Sequence, residues 1–157
     1  MDTNVKKPPF PQANDFEKVK ELILIPKEEK LLSDASVGEY LGGLSDRQSR
    51  YYIAAARYIG AITDDRKLTE QGRKLRLMDE YTLIAELIRM LFADPVVGRV
   101  YILQKVLGFS LDKSDIAEII QQENPGYTQV IYLRRAQTVK SWIEWISKYM
   151  LSDNSGS

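Results

Sequence analysis

Residues 35–76 read ASVGEYLGGLSDRQSRYYIAAARYIGAITDDRKLTEQGRKLR. A short helical pattern leads through Gly42-Gly43 into an arginine-rich helix. Two apolar-Thr runs then flank Asp64-Asp65-Arg66, as in two short strands joined by a tight turn, and a last short helix follows. Helix, turn, helix, hairpin is the plan of a winged helix-turn-helix. In that plan the second helix enters a nucleic-acid groove, which decides which side chains matter.

Ser45 is placed to cap the second helix, its hydroxyl meeting a free first-turn amide, so the helix begins at Asp46. At about 100° per residue, Ser49, Tyr52, Ile53, Ala56, Ile59 and Gly60 share one side and form the expected buried stripe. Arg47, Tyr51, Ala54 and Tyr58 fall opposite, flanked by Gln48 and Arg50. Arg and Gln can bond base edges, and Tyr and Arg reach phosphates. Arg66 and Lys67 sit at the expected hairpin tip, where a wing meets the nucleic-acid backbone. Thr69 caps the following helix, with Leu75 and Leu77 returning to the core.

The 157-residue chain carries 22 basic and 22 acidic residues and neither Cys nor His. A chain of this length buries roughly 68–70% of its unfolded surface and folds without covalent staples. The missing Cys and His remove disulfides, thiol chemistry and the usual zinc ligands. No apolar run is long enough to cross a bilayer, and the first residues lack the apolar stretch of a signal peptide. A soluble, cytoplasmic protein with no membrane partner and no cofactor is the expectation.

Neutral net charge argues against a nucleic-acid partner, but its distribution argues the other way. Residues 45–76 hold eight basic against four acidic side chains, residues 77–124 four against eight, and residues 125–148 four against one. Two basic segments therefore flank an acidic middle. Solvated helix faces would produce the same blocks.

The remaining chain divides by its punctuation. Residues 1–14, with Pro8, Pro9 and Pro11, are expected to form a flexible extended arm, and residues 15–76 the winged unit, opened by a helix from Asp15 that ends before Pro26. Residues 77–150 form a helical part, with a break at Asp94-Pro95 and a boundary near Gly108. Its last portion, helix, Pro-Gly turn and long helix, is a second helix-turn-helix-like unit. Residues 151–157 are expected to be disordered. In the long helix Ala136, Val139, Trp142, Ile143 and Ile146 make an apolar stripe opposite Arg134, Gln137, Lys140, Ser141, Glu144 and Lys148. Trp142 and Trp145 are core anchors. Arg135 falls on the apolar side and needs a partner, either a carboxylate within the fold or a phosphate outside it.

The string RQSRYYIAAARYIGAI, followed by LTEQGRKL, resembles a family of uncharacterised prokaryotic winged-helix domains. Modules of this type also occur as non-catalytic parts of type II restriction endonucleases. The likeness extends to Phe10-Pro11 with NDFEKV and to RRAQTVKSWIEWI, and so spans most of residues 10–149. It implies a DNA-recognition module in which both halves belong to one domain. Gly42-Gly43-Leu44 departs from the bulkier turn expected at that place.

An active site of its own is not expected. Without His or Cys, carboxylate-metal chemistry remains, and Asp15 with Glu28-Glu29-Lys30 satisfies the letters of a nuclease pattern. The context fails, because Glu28 follows Pro26 in a loop rather than on a central strand. Double-stranded DNA is the expected partner, through Arg47, Gln48, Arg50, Tyr51, Arg66, Lys67 and Arg134. The rival is a protein-interaction or dimerisation module that presents Tyr51, Ala54 and Tyr58 to another chain.

Overall fold

The Ser45 hydroxyl accepts from the Gln48 amide at 3.2 Å while the Gln48 side chain accepts from the Ser45 amide at 3.1 Å. This reciprocal capping box starts α3 at Asp46 in the computed structural model, which describes residues 8–25 and 33–150. Before it lie α1 (Phe16–Ile23) and α2 (Asp34–Tyr40). After α3 (Asp46–Tyr58) come α4 (Glu70–Arg76), α5 (Glu80–Ala93), α6 (Pro95–Tyr101), α7 (Lys113–Glu123) and α8 (Gln129–Ser147). The architecture is mainly α. Glu28 and Lys30 lie outside the described residues, and so does the 151–157 tail.

Capping explains most of the boundaries. Asp15, Ser33, Thr69, Asp79, Asp112 and Thr128 each accept a first-turn amide through the side chain. Asp94 ends α5 and caps α6, accepting from Val96 and Val97, with Pro95 where a missing N–H costs nothing. Gly42 and Gly43 explain the departure noted in the α2–α3 turn. Both have positive φ, 99° and 91°, which a bulkier residue would adopt only under strain.

The expected hairpin is not formed as two strands. Among the described residues only Ile62 and Leu68 pair, as an isolated antiparallel bridge. Thr63 N–H donates to the Lys67 carbonyl at 2.8 Å, which closes the turn at once. Thr69 is already committed to α4: its hydroxyl donates to the Gly60 carbonyl at 2.6 Å and accepts from Gly72 N–H at 2.9 Å. A second backbone bond, from Thr69 N–H to the Ala61 carbonyl at 3.0 Å, ends the pairing where α4 begins.

Two other expectations are corrected. Leu77 is 86% exposed, because it is the C-cap of α4 where the chain turns away from the core. Tyr58, expected on the exposed face, is half-buried: its ring meets Phe10 edge-on and its hydroxyl donates to Asp94. Burial and the Asp94 carboxylate push its phenol far above the ordinary tyrosine range. The α3 stripe otherwise buries Ser49, Tyr52, Ile53 and Ala56 as read, and Ala55 with them, but past the helix end Ile59 is only half-buried and Gly60, at positive φ, is exposed.

The core centres on α8. Trp142 is fully buried and Trp145 nearly so. The Trp142 ring packs against Phe10 and Phe16, with centroids 5.1 and 4.9 Å away, and Phe16 also meets Trp145 at 4.6 Å. Each such ring pair contributes about 0.5–1.5 kcal/mol beyond area burial. Residues 8–14 of the expected flexible arm run extended across this cluster, with Phe10 and Ala13 fully buried. The Trp142 indole N–H donates to the Ala13 carbonyl at 2.6 Å, and that of Trp145 to Glu17 at 3.0 Å.

Two buried cations are held differently. Burial works to lower the Lys20 pKa, yet hydrogen bonds from its ammonium to Glu17 and Glu80 outweigh it and hold the pKa above the ordinary value, tying α1 to the start of α5. Arg135 has no carboxylate partner among the described residues. Its guanidinium carbon lies 4.1 Å from the Tyr127 ring centroid, and its Nε and Nη1 are buried without a hydrogen-bond partner. The aromatic face substitutes for the carboxylate.

Trp142→Phe keeps an aromatic ring but strands the buried Ala13 carbonyl, so stability should fall by about 1–3 kcal/mol, read as a lower denaturant midpoint at unchanged slope. An unchanged midpoint would remove the indole bond from this account. For Arg135, Tyr127→Leu should cost about 1–2 kcal/mol while Tyr127→Phe is nearly neutral. Equal losses in chemical denaturation would implicate the phenol hydroxyl instead of the ring.

Candidate nucleic-acid interface

Residues 8–14 form a strap, and at its junction with α1 the neighbours Asn14 and Asp15 set the spacing of α3 and α8. Asn14 Oδ1 accepts from the Thr138 hydroxyl of α8 at 2.6 Å. Its neighbour Asp15 donates its N–H to the Tyr52 hydroxyl of α3 at 3.0 Å. Helix α1, which starts at the next residue, packs against both α3 and α8. A groove of about 680 Å³ opens above this junction.

One wall of the groove is Gln48 and Tyr51 from α3, and the other is Val130, Leu133, Arg134 and Gln137 from α8. Gln12, Asn14 and Tyr52 line it as well, and Lys113 reaches it from the start of α7. The two basic segments of the sequence therefore meet, through Gln48, Tyr51 and Arg134. Among the described residues no carboxylate lines the groove. Arg134 and Lys113 are exposed, and neither has an ion pair among the described residues.

Arg47 stands at the edge of this wall. Its Nε donates to the Tyr51 hydroxyl at 3.0 Å, and its guanidinium lies 5.8 Å from the ring centroid. The pair holds the phenol ring in position while leaving most of the guanidinium donors available.

Arg50 and Arg66 are spent differently. Both bond Asp34, at 2.9 and 2.8 Å to its two carboxylate oxygens, which joins the start of α2 to α3 and to the turn after it. Hydrogen bonds from Arg50, then from Arg66, hold the Asp34 carboxyl below its usual range. The pairing is therefore complete at pH values above the ordinary carboxylate range and is lost as pH falls through the depressed pKa. Arg66 has positive φ, 65°, in the turn. Lys67 beside it is exposed.

Of the seven residues picked from the sequence, three line the groove, Arg47 adjoins it, Arg50 and Arg66 share a carboxylate, and Lys67 lies on the turn. Gln12, Asn14, Lys113 and Gln137 escaped notice. Helical placement did put Gln137 on the polar face with Arg134, but nothing local signals that α3 faces it.

A separate apolar surface lies beyond α6. Residues Ile102–Val106 form a π-helical turn, in which Leu107 N–H bonds the Ile102 carbonyl at 2.9 Å. Ile102, Val106, Leu107 and Phe109 are all more than half exposed there. Among the described residues no cluster of acidic side chains has the arrangement to hold a metal ion. None of their helices is long and apolar enough to cross a membrane.

Neither the curated proteins nor the solved structures include a match to this chain. A family defined as a domain of unknown function, DUF7226, matches residues 18–150, which take in every helix from α2 to α8 and both walls of the groove. The chain belongs to the DUF7226 family.

Proposed function

We propose that this protein is a non-catalytic, double-stranded DNA-binding module of winged-helix type, acting as a restriction-enzyme recognition module or a small cytoplasmic regulator. The observation that carries the reading is the meeting of Gln48, Tyr51 and Arg134 in one groove whose lining, among the described residues, includes Lys113 and no carboxylate. A neutral protein can bind a polyanion if its cations are concentrated where acids are excluded. Helix α3 is the recognition element, with Arg47, Gln48 and Tyr51 facing the duplex, and Arg134 and Lys113 on the phosphates. Lys67, beside the Ile62–Leu68 bridge, takes the position of a wing contact.

A second reading is favoured by the exposed Ile102, Val106, Leu107 and Phe109, an apolar patch of the kind that marks protein partners. It belongs to a different surface from the one first considered, since Tyr58 is committed to Asp94.

A salt titration separates the two. With about five phosphates contacted, affinity for mixed-sequence duplex should fall on the order of 10² to 10³-fold between about 50 and 200 mM salt. The Arg47→Ala/Arg134→Ala double variant should lower the salt slope by about two units. No binding at low salt, or an unchanged slope, would refute the DNA reading and leave the protein-partner one.

Asp34→Asn tests the neutralising role of that carboxylate. Releasing Arg50 from it should tighten duplex binding and steepen the slope by about one unit, for one added phosphate contact. Weaker binding by a folded variant would mean that the paired geometry itself is what the duplex meets.

A further inference from the structure

A helix lying on a duplex needs a convex polar face, and α3 offers one. It does not need the recess beside that face. The groove between α3 and α8 has about 680 Å³, within the range of small-ligand pockets and larger than a single base requires. Its chemistry is selective. Four carboxamides, from Gln12, Asn14, Gln48 and Gln137, meet there with the Tyr51 ring and the cations Arg134 and Lys113, while Tyr52, Val130 and Leu133 supply the rest of the lining.

The carboxamides are only partly used by the fold. Asn14 uses Oδ1 for Thr138, and Gln48 uses Oε1 for Ser45, which leaves both amino groups as donors. Gln137 uses Nε2 for Ser141, which leaves its oxygen as an acceptor. Donors and acceptors are thus both presented, the combination that base edges require. Tyr51 supplies a ring held by Arg47, suited to stacking, and the cations suit a flanking phosphate.

We propose that the α3–α8 groove is a pocket for one unpaired nucleotide, its base against Tyr51 and read by the carboxamides, its phosphate on Arg134 and Lys113. In duplex DNA the occupant is an extruded nucleotide, and in that form the inference rests on the DNA-binding reading. A free nucleotide carries the same chemistry.

The full chain is titrated with three probes: a fully paired duplex, the same duplex with one fluorescent purine opposite an abasic position, and a nucleoside monophosphate. An extruded base that was never paired escapes the cost of unpairing, so the second probe should bind on the order of tenfold tighter than the first, with a fluorescence change on stacking. Tyr51→Leu should bring that ratio to about one, and Tyr51→Phe, which keeps the ring, should preserve it. Equal binding of the two duplexes without a fluorescence change overturns the pocket and leaves the duplex reading standing. Binding of the monophosphate alone, lost in Tyr51→Leu, keeps the pocket and overturns the duplex reading. A preference that survives Tyr51→Leu overturns the assignment to this groove, and no binding of any probe overturns both proposals.

Discussion

The hydrogen bond from the Trp142 indole to the Ala13 carbonyl, inside the Phe10, Phe16 and Trp145 cluster, is the constraint on which the rest depends. An extended segment has no internal partners for its own backbone and must find them elsewhere. Here Trp142 and Asn124 provide them, the latter accepting from Phe10 N–H at 3.1 Å. Once that segment is anchored on α8, Asn14 and Asp15 reach Thr138 and Tyr52, and α3 takes its distance from α8. The groove is a by-product of this spacing. A strap packed more loosely would let the two walls drift, and with them every polar contact that a ligand could use.

Charge is distributed by a similar logic. A neutral chain cannot attract a polyanion by its net field, so location decides. Asp34 takes up Arg50 and Arg66 in joining α2, α3 and the following turn, a structural use of two cations that look like DNA contacts in the sequence. Arg135 is removed more completely, under Tyr127. Arg134 and Lys113 line the groove, Arg47 adjoins it, and no carboxylate among the described residues is part of its lining. The protein thus separates cations that hold elements together from cations that face outward, and residues 45–76 supply both kinds, Arg50 and Arg66 to Asp34 and Arg47 to the surface.

Legibility followed distance along the chain. The Ser45 and Thr69 caps, the α3 stripe, the break at Asp94-Pro95 and the α8 stripe with its two tryptophans were all readable, because each depends on residues within a few turns of one another. The hairpin reading failed over a similarly short stretch, since strand propensity in Ala61-Ile62-Thr63 says nothing of how soon Thr69 must turn back to Gly60. Tyr58 failed for another reason. A helical projection divides residues into one core face and one solvent face, whereas α3 is covered on a second side by Phe10 and by the start of α6.

By itself, then, the sequence determined a mainly helical chain, where α1, α3, α4 and α6 begin, and which faces of α3 and α8 are apolar. Caps and periodicity are local, and local interactions are written in order. Only the tertiary structure decided that Gln12, Asn14, Gln48, Tyr51, Arg134 and Gln137 share one groove, that Arg50 and Arg66 share one carboxylate, and that an aromatic ring rather than an acid covers Arg135. Those juxtapositions join residues far apart in the chain. They arise when burial of Phe10, Phe16, Trp142 and Trp145 in one cluster brings the strap, α1 and α8 together, and no single segment carries a record of that closure.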